Sequence, residues 1–325
     1  MKIAVKKNYQ KPWLDYDNQV KKLIERGLQV ADIGAAKRFL AYVNYYRFTG
    51  FCLRFQSDDP ASGERMFNRG VTFDDVRTLC LLDRDLRDCF SEALELVEIS
   101  LRSSIAYHFA RRHGALGHLD AANFAKAFSQ QVPSAKSKTR IVVPFKEWRK
   151  NLVEETTRSR ELFVKHFEQT YVEYPDLPIW VASELCSFGT LSKMYWYMLT
   201  ADQTAIAKEY GMPFFVLDSW LHALTFLRNV CAHHGRLWDK RLNVTPKLPT
   251  GKNWANVSSR SRTIFVSALI LNWMLAHDSI DVKAHADWKL KLEKILDSLN
   301  SAFPQLTFYT GFPQNWKKNP LWWQI

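Results

Sequence analysis

Two arginines, an asparagine and two histidines fall within nine residues at Arg228-Asn229-Val230-Cys231-Ala232-His233-His234-Gly235-Arg236. These residue types can cut RNA without a metal. RNA carries its own nucleophile, the 2′-OH. A neutral imidazole can take that proton and an imidazolium can protonate the leaving 5′-oxygen, because histidine titrates near neutrality. A guanidinium can fork onto the scissile phosphate and stabilise the charge that builds there. Asn229 and His233 are four apart and share one face of a helix. Arg228 is next to them, and a turn at Gly235 would swing His234 and Arg236 inward. Two such sets facing across a two-fold axis would supply base, acid and phosphate clamp together. The competing reading is an ordinary helix C-terminus, where His and Arg complement the dipole and bond free carbonyls.

The elements that must carry this cluster are helical. Phe215, Leu217, Trp220, Leu221, Leu224 and Leu227 precede it at helical spacing, which predicts a helix over 214–232 stopped by Gly235. Val76, Leu79, Leu82, Leu86, Cys89, Ala93, Leu96 and Ile99 recur at steps of 3, 3, 4, 3, 4, 3 and 3. With Thr72, Asp74 and Asp75 as a capped, acidic start and Gly114 as a stop, one helix over 73–113 follows. Further helices are expected over 15–26, 35–48, 145–171, 179–199 (with Gly189 as its weak point), 262–277 and 283–299. No alternating run flanked by Asn-Gly or Asp-Gly occurs, so no sheet is expected. Residues 134–150 read as a basic loop entering a helix, with Lys136, Lys138, Arg140, Lys146, Arg149 and Lys150 against the single acid Glu147, and Phe145 and Trp148 interleaved. That pattern suits an RNA backbone, with Lys136, Lys138, Arg140 and Arg236 as candidate contacts, and equally a solvated linker.

The bulk numbers agree. The chain has 325 residues, 47% of them hydrophobic, enough for a sizeable core and against disorder as its main theme. The organisation expected is an N-terminal helical segment (1–70), a helical core (71–280) with the basic insertion, and a C-terminal segment (281–325). A net charge of +12 favours a polyanionic partner. The five cysteines are scattered without a CxxC pair, which suits a reducing cytosol. The opening MKIAVKKNYQ lacks the apolar stretch of a signal peptide. The longest apolar run, 264–276, is 13 residues and falls short of the roughly 20 a bilayer requires. A cytoplasmic protein without membrane attachment is expected.

Several other residues invite chemistry. Glu98 and Arg102 form a favourable helical pair. They are candidate supports for the cluster, as is Glu184, which could accept from Arg228; the better-weighted reading is a structural ion pair for the first two and solvent exposure or a structural hydrogen bond for Glu184. Asp83, Asp85 and Asp88 resemble a metal set, but interleaved Arg84 and Arg87 suggest self-neutralising surface pairs. His108, His113, His118 and His166 show no ligand spacing, so no metal site is expected. Cys231 has apolar neighbours and reads as packing. Gly114 and Gly117 lack the context of a phosphate loop.

Arg228-Asn229-Val230-Cys231-Ala232-His233-His234 is similar to the R-x4-6-H motif of HEPN-domain ribonucleases. The chain as a whole resembles the Abi-like (AbiD/AbiF) family of abortive-infection proteins across roughly residues 12–245. The resemblance is carried by Asn44-Tyr45-Tyr46-Arg47-Phe48, Leu82-Asp83-Arg84-Asp85-Leu86-Arg87, Glu98-Ile99-Ser100-Leu101-Arg102, Pro178-Ile179-Trp180 and Ser187-Phe188-Gly189-Thr190-Leu191-Ser192, in that order, closing on Arg236-Leu237-Trp238. It implies an all-α, multi-helix HEPN-like bundle with helical extensions at both ends. It also implies a homodimer with a metal-independent ribonuclease centre, no cofactor, and a phage-defence toxin restrained by an RNA or protein antitoxin. Arg228 matches the motif's arginine; His233 matches its histidine at x4 and His234 at x5. The alternative is a non-catalytic RNA-binding or phage-sensing helical protein that uses the same cluster to grip phosphate.

Overall fold

The computed structural model describes residue 8 and residues 12–60, 64–134, 137–277, 281–305 and 307–323. The chain divides into two compact units, Met1–Asp85 and Leu86–Ile325. In the first, α1 (Tyr16–Glu25), α2 (Ile33–Val43) and α3 (Tyr45–Cys52) precede a hairpin of β1 (Gln56–Asp58) and β2 (Arg65–Phe67). Asp15 and Asp32 cap α1 and α2 by accepting from the Asn18 and Ala35 amides. The single helix expected over 35–48 is two helices. Asn44 takes a φ of 75° and its amide closes α2 on the Leu40 carbonyl. Its side-chain oxygen then accepts from the Tyr46 amide at 2.8 Å to open α3. A left-handed residue cannot continue a right-handed helix, and asparagine tolerates that conformation better than most. Phe48 stacks on Phe73 at 4.6 Å within this unit's core.

The long helix α4 (Phe73–His113) runs 41 residues, as the spacing predicts. Thr72 and Asp75 cap it reciprocally: the Thr72 amide and hydroxyl donate to the Asp75 carboxylate, and the Asp75 amide donates back to the hydroxyl. Gly114, with a φ of 78°, ends it.

The second unit continues with β3 (Val132–Ser134), β4 (Ser137–Val142), α5 (Pro144–Arg158), α6 (Leu162–Thr170), α7 (Ile179–Leu185), α8 (Phe188–Tyr197), α9 (Thr200–Glu209), α10 (Phe214–Ala232), α11 (Lys252–Ala255), α12 (Ile264–His277), α13 (Val282–Ala302) and α14 (Pro320–Trp323). The all-α expectation holds for the architecture. Two corrections apply: β1–β2 and β3–β4 are short antiparallel hairpins, so strands exist, and the second of them replaces the expected basic loop. The helix expected over 145–171 breaks at Ser159, whose backbone is extended. The one expected over 179–199 breaks at Cys186 and Ser187, before Gly189, because the Ser187 hydroxyl caps the Thr190 amide and starts α8. The short α9 was not expected; its weakly amphipathic sequence gave no periodic stripe.

Helix α10 packs against α8, α9 and α12. Ten of the fourteen residues of α12 are buried, as expected of a helix that is apolar on most sides. Trp220 on α10 donates to the Lys247 carbonyl at 2.8 Å, and Trp288 on α13 to the Cys89 carbonyl of α4 at 3.0 Å, so both large side chains are buried without leaving an N–H unpaired. Among the described residues, no helix is long and apolar enough to cross a membrane.

Candidate functional site

The cluster sits at the C-terminal end of α10, pinned on both sides. Leu224, Leu227 and Cys231 are buried before the turn, and Leu237 and Trp238 are fully buried after it. The turn closes by two backbone bonds, from the His234 amide to the Cys231 carbonyl at 3.0 Å and from the Gly235 amide to the Val230 carbonyl at 2.7 Å. This is a Schellman turn, and its left-handed position is taken by His234 at φ 54°. The expectation that Gly235 stops the helix is therefore corrected. Gly235 is needed for a different reason: a Cβ there would lie 3.0 Å from the Val230 side chain and 3.1 Å from its carbonyl oxygen. A non-glycine residue in the left-handed region costs on the order of 1–3 kcal/mol, and such strain concentrates at functional sites.

The polar side chains of this turn face outward. Asn229, His233 and His234 are exposed and have no side-chain partner among the described residues. Arg228 is half-exposed, and its one ion pair is a loose contact from Nε to Glu98 Oε2 at 3.8 Å. Glu98, on α4, is buried and receives Nη2 of Arg102 on its other oxygen at 2.6 Å. Arg102 Nη2 also donates to the Cys186 carbonyl at 3.1 Å, and Nη1 lies 3.9 Å from Glu184. The structure thus joins Arg228, Glu98, Arg102 and Glu184 into one chain of charges, with Glu184 meeting Arg102 and not Arg228. Arg228 and Ala232 form one wall of a groove of about 370 Å³, opposite Ser91, Leu94, Glu95, Glu98, Ile99 and Arg102 of α4. Asn229 and His233 follow Arg228 and Ala232 by one residue, so they present on the neighbouring helical face, turned by about 100°.

Arg87 is a contributor the sequence reading missed. It is buried, and its Nη1 lies 3.5 Å from the Gly235 carbonyl, at the turn itself. Alternating Asp and Arg over 83–88 suggested surface pairs, but Asp83 and Arg87 are both buried and only Arg84–Asp85 is an exposed pair, at 3.3 Å. The α4 stripe residues Asp83 and Arg87 are four apart, and that spacing beside apolar Leu79 and Leu86 was the available signal.

Of the candidate RNA contacts, Arg236 lies 5.9 Å over the Trp238 ring. Lys136 is outside the described residues, and Lys138 is described in its backbone alone, within β4. Arg140 pairs with Glu147 at 2.9 Å, Arg149 with Asp176 at 2.9 Å and Lys150 with Glu154 at 3.8 Å, so three of the segment's four cations with described side chains already sit beside a carboxylate. The histidines of α4 found distant partners that no spacing displays: His108 meets Glu209 at 2.7 Å and His113 meets Asp202 at 2.9 Å. Cys231 is buried. Among the described residues no group of three His, Cys, Asp or Glu is placed to hold a metal ion.

A family model described as Abi-like protein matches residues 38–239, more than half of the chain. The chain belongs to the Abi-like family. The matched span holds α4, the Glu98–Arg102 pair, all of α10 and the turn through Trp238, so every residue of this Abi-like site lies inside it. No curated protein and no solved structure matches the chain.

Proposed function

We propose that this Abi-like protein is an endoribonuclease toxin of an abortive-infection, phage-defence system, cleaving RNA by 2′-OH attack. The observation that carries this reading is the presentation of the turn. A guanidinium held at one edge and two imidazoles without side-chain partners among the described residues stand exposed at the end of a helix with one buried face, one histidine in a strained backbone conformation. Arg228 binds the scissile phosphate and stabilises its added charge. A neutral His233, oriented by Asn229, takes the 2′-OH proton. The 2′-oxygen attacks phosphorus and the P–O5′ bond breaks. An imidazolium, from His234 or from a second copy, protonates the departing 5′-oxygen. The products are a 2′,3′-cyclic phosphate and a 5′-hydroxyl, so atoms and charges balance using side chains alone. A homodimer that brings two turns together supplies base, acid and clamp in one site.

The test is cleavage of RNA by purified protein in excess chelator, with the ends identified. Cyclic-phosphate ends, resistance of a 2′-O-methyl substrate and loss of cutting in Arg228→Ala support the reading. Activity that disappears with the chelator, or survives Arg228→Ala, sinks it. Light scattering of the active sample reads the dimer: monomer alone, with specific activity independent of concentration, counts against it.

A further inference from the structure

We propose that the groove between α4 and Arg228 is a guanine-selective nucleotide subsite in which Glu95 reads the base. This rests on Arg228 binding phosphate, as argued above. The groove holds about 370 Å³, within the lower range of small-ligand sites. Its α4 wall is built from Ser91, Glu95, Ile99 and Arg102, successive residues of one helical face. Two of these face outward into the groove mouth. Ile99 is 50% exposed, although it continues the apolar stripe of α4. Glu95 is exposed and makes no ion pair or hydrogen bond among the described residues, whereas Glu98, one turn along, is buried between two arginines.

An unpaired carboxylate beside a phosphate clamp is costly for an enzyme that binds a polyanion, unless it accepts hydrogen bonds from that polyanion's bases. Glu95 and Glu98 are three residues apart, a rise of about 4.5 Å along α4, and Glu98 is the residue that faces Arg228. A nucleotide with its phosphate on Arg228 therefore reaches Glu95 with its base, whose flat face lies against Ile99. Single-stranded RNA offers its Watson–Crick edges for such contacts. Guanine alone carries two adjacent donors there, N1–H and the exocyclic amine, spaced for the two oxygens of one carboxylate. Adenine and cytosine place an acceptor nitrogen beside their single amine, and uracil flanks its one N–H with carbonyls; each turns a repelling lone pair toward Glu95.

Binding of guanosine 3′-monophosphate and adenosine 3′-monophosphate, measured by calorimetry on the full chain, tests this without relying on cleavage. The expected result is guanosine nucleotide binding about tenfold tighter, the low end for one bidentate contact. Glu95→Gln, at an exposed position that does not threaten folding, brings the two nucleotides to within about threefold. Arg228→Ala weakens both alike. Equal binding by the unaltered protein, no binding of either nucleotide, or a preference that survives Glu95→Gln overturns the subsite. Cleavage of RNA without guanine selectivity overturns the subsite and leaves the ribonuclease reading intact; nucleotide selectivity without cleavage does the reverse.

Discussion

The guanidinium of Arg228 is held at one edge only. Glu98 sits 3.8 Å from its Nε, too far for a hydrogen bond, and the two Nη groups have no partner among the described residues. It is therefore oriented but not consumed by structure. Arg228→Lys keeps the charge and loses the planar fork, so cleavage should fall by roughly 10²–10³-fold while the thermal midpoint stays put. A melting temperature that drops with activity would place the arginine in the fold instead. The two histidines separate on backbone grounds. His234→Gly relieves the left-handed strain and should raise stability by about 1 kcal/mol in urea unfolding, and it should cost less cleavage than loss of His233. His233→Ala should cost roughly 10²–10⁴-fold in rate through lost proton transfer. An inactive His234→Gly would move the proton-carrying role to His234.

At the scale of elements, α5 and the segment after α4 enclose His118. Its imidazole is fully buried, edge-on to Trp148 at 6.3 Å, and neither ring nitrogen has a hydrogen-bond partner among the described residues. Burial, reinforced by the Arg149 cation, pushes its pKa from 6.5 down to about 4. The unfolded chain thus takes up a proton at this residue below pH 6.5, and the folded chain does so only near pH 4. Stability is level above pH 6.5, falls as the pH drops through that window by up to about 1.4 kcal/mol per unit, and levels again below it. His285, also pushed down to about 4 by burial, adds a slope of the same sign. His118→Phe should make the stability difference between pH 7 and pH 4.5 smaller by roughly 2 kcal/mol in urea unfolding. An unchanged difference would mean that the ring is wet in solution.

At the scale of the whole molecule, the net charge of +12 predicts RNA binding that weakens steeply with salt. The ion pairs of the β3–β4 hairpin and α5 refine the source of that charge. Arg140 is already matched by Glu147, so Arg140→Ala should change the salt slope of RNA affinity by less than about one unit, measured by fluorescence anisotropy between 50 and 200 mM salt. A larger change would mean that RNA displaces Glu147 and that the hairpin is a primary contact.

The helices were legible where one physical signal dominated. The 3.6-residue stripe and reciprocal cap of α4, the apolar run of α10 and the largely apolar α12 each follow from local sequence, because burying such a face leaves a chain no better choice. The Arg–Asn–His–His cluster was legible as residue types at one helix end. Tertiary structure decided what those residues do there. That His234 takes the left-handed position, and that a Cβ at position 235 would meet Val230, are settled only once the turn has closed. That Glu98 faces Arg228 across 130 positions, that Arg87 is buried against the turn and that His108 and His113 find carboxylates on α9 depend on which helices pack together. Side-chain charge and hydrogen bonding act over a few ångströms of space, and spacing along the chain does not encode that distance beyond one or two helical turns.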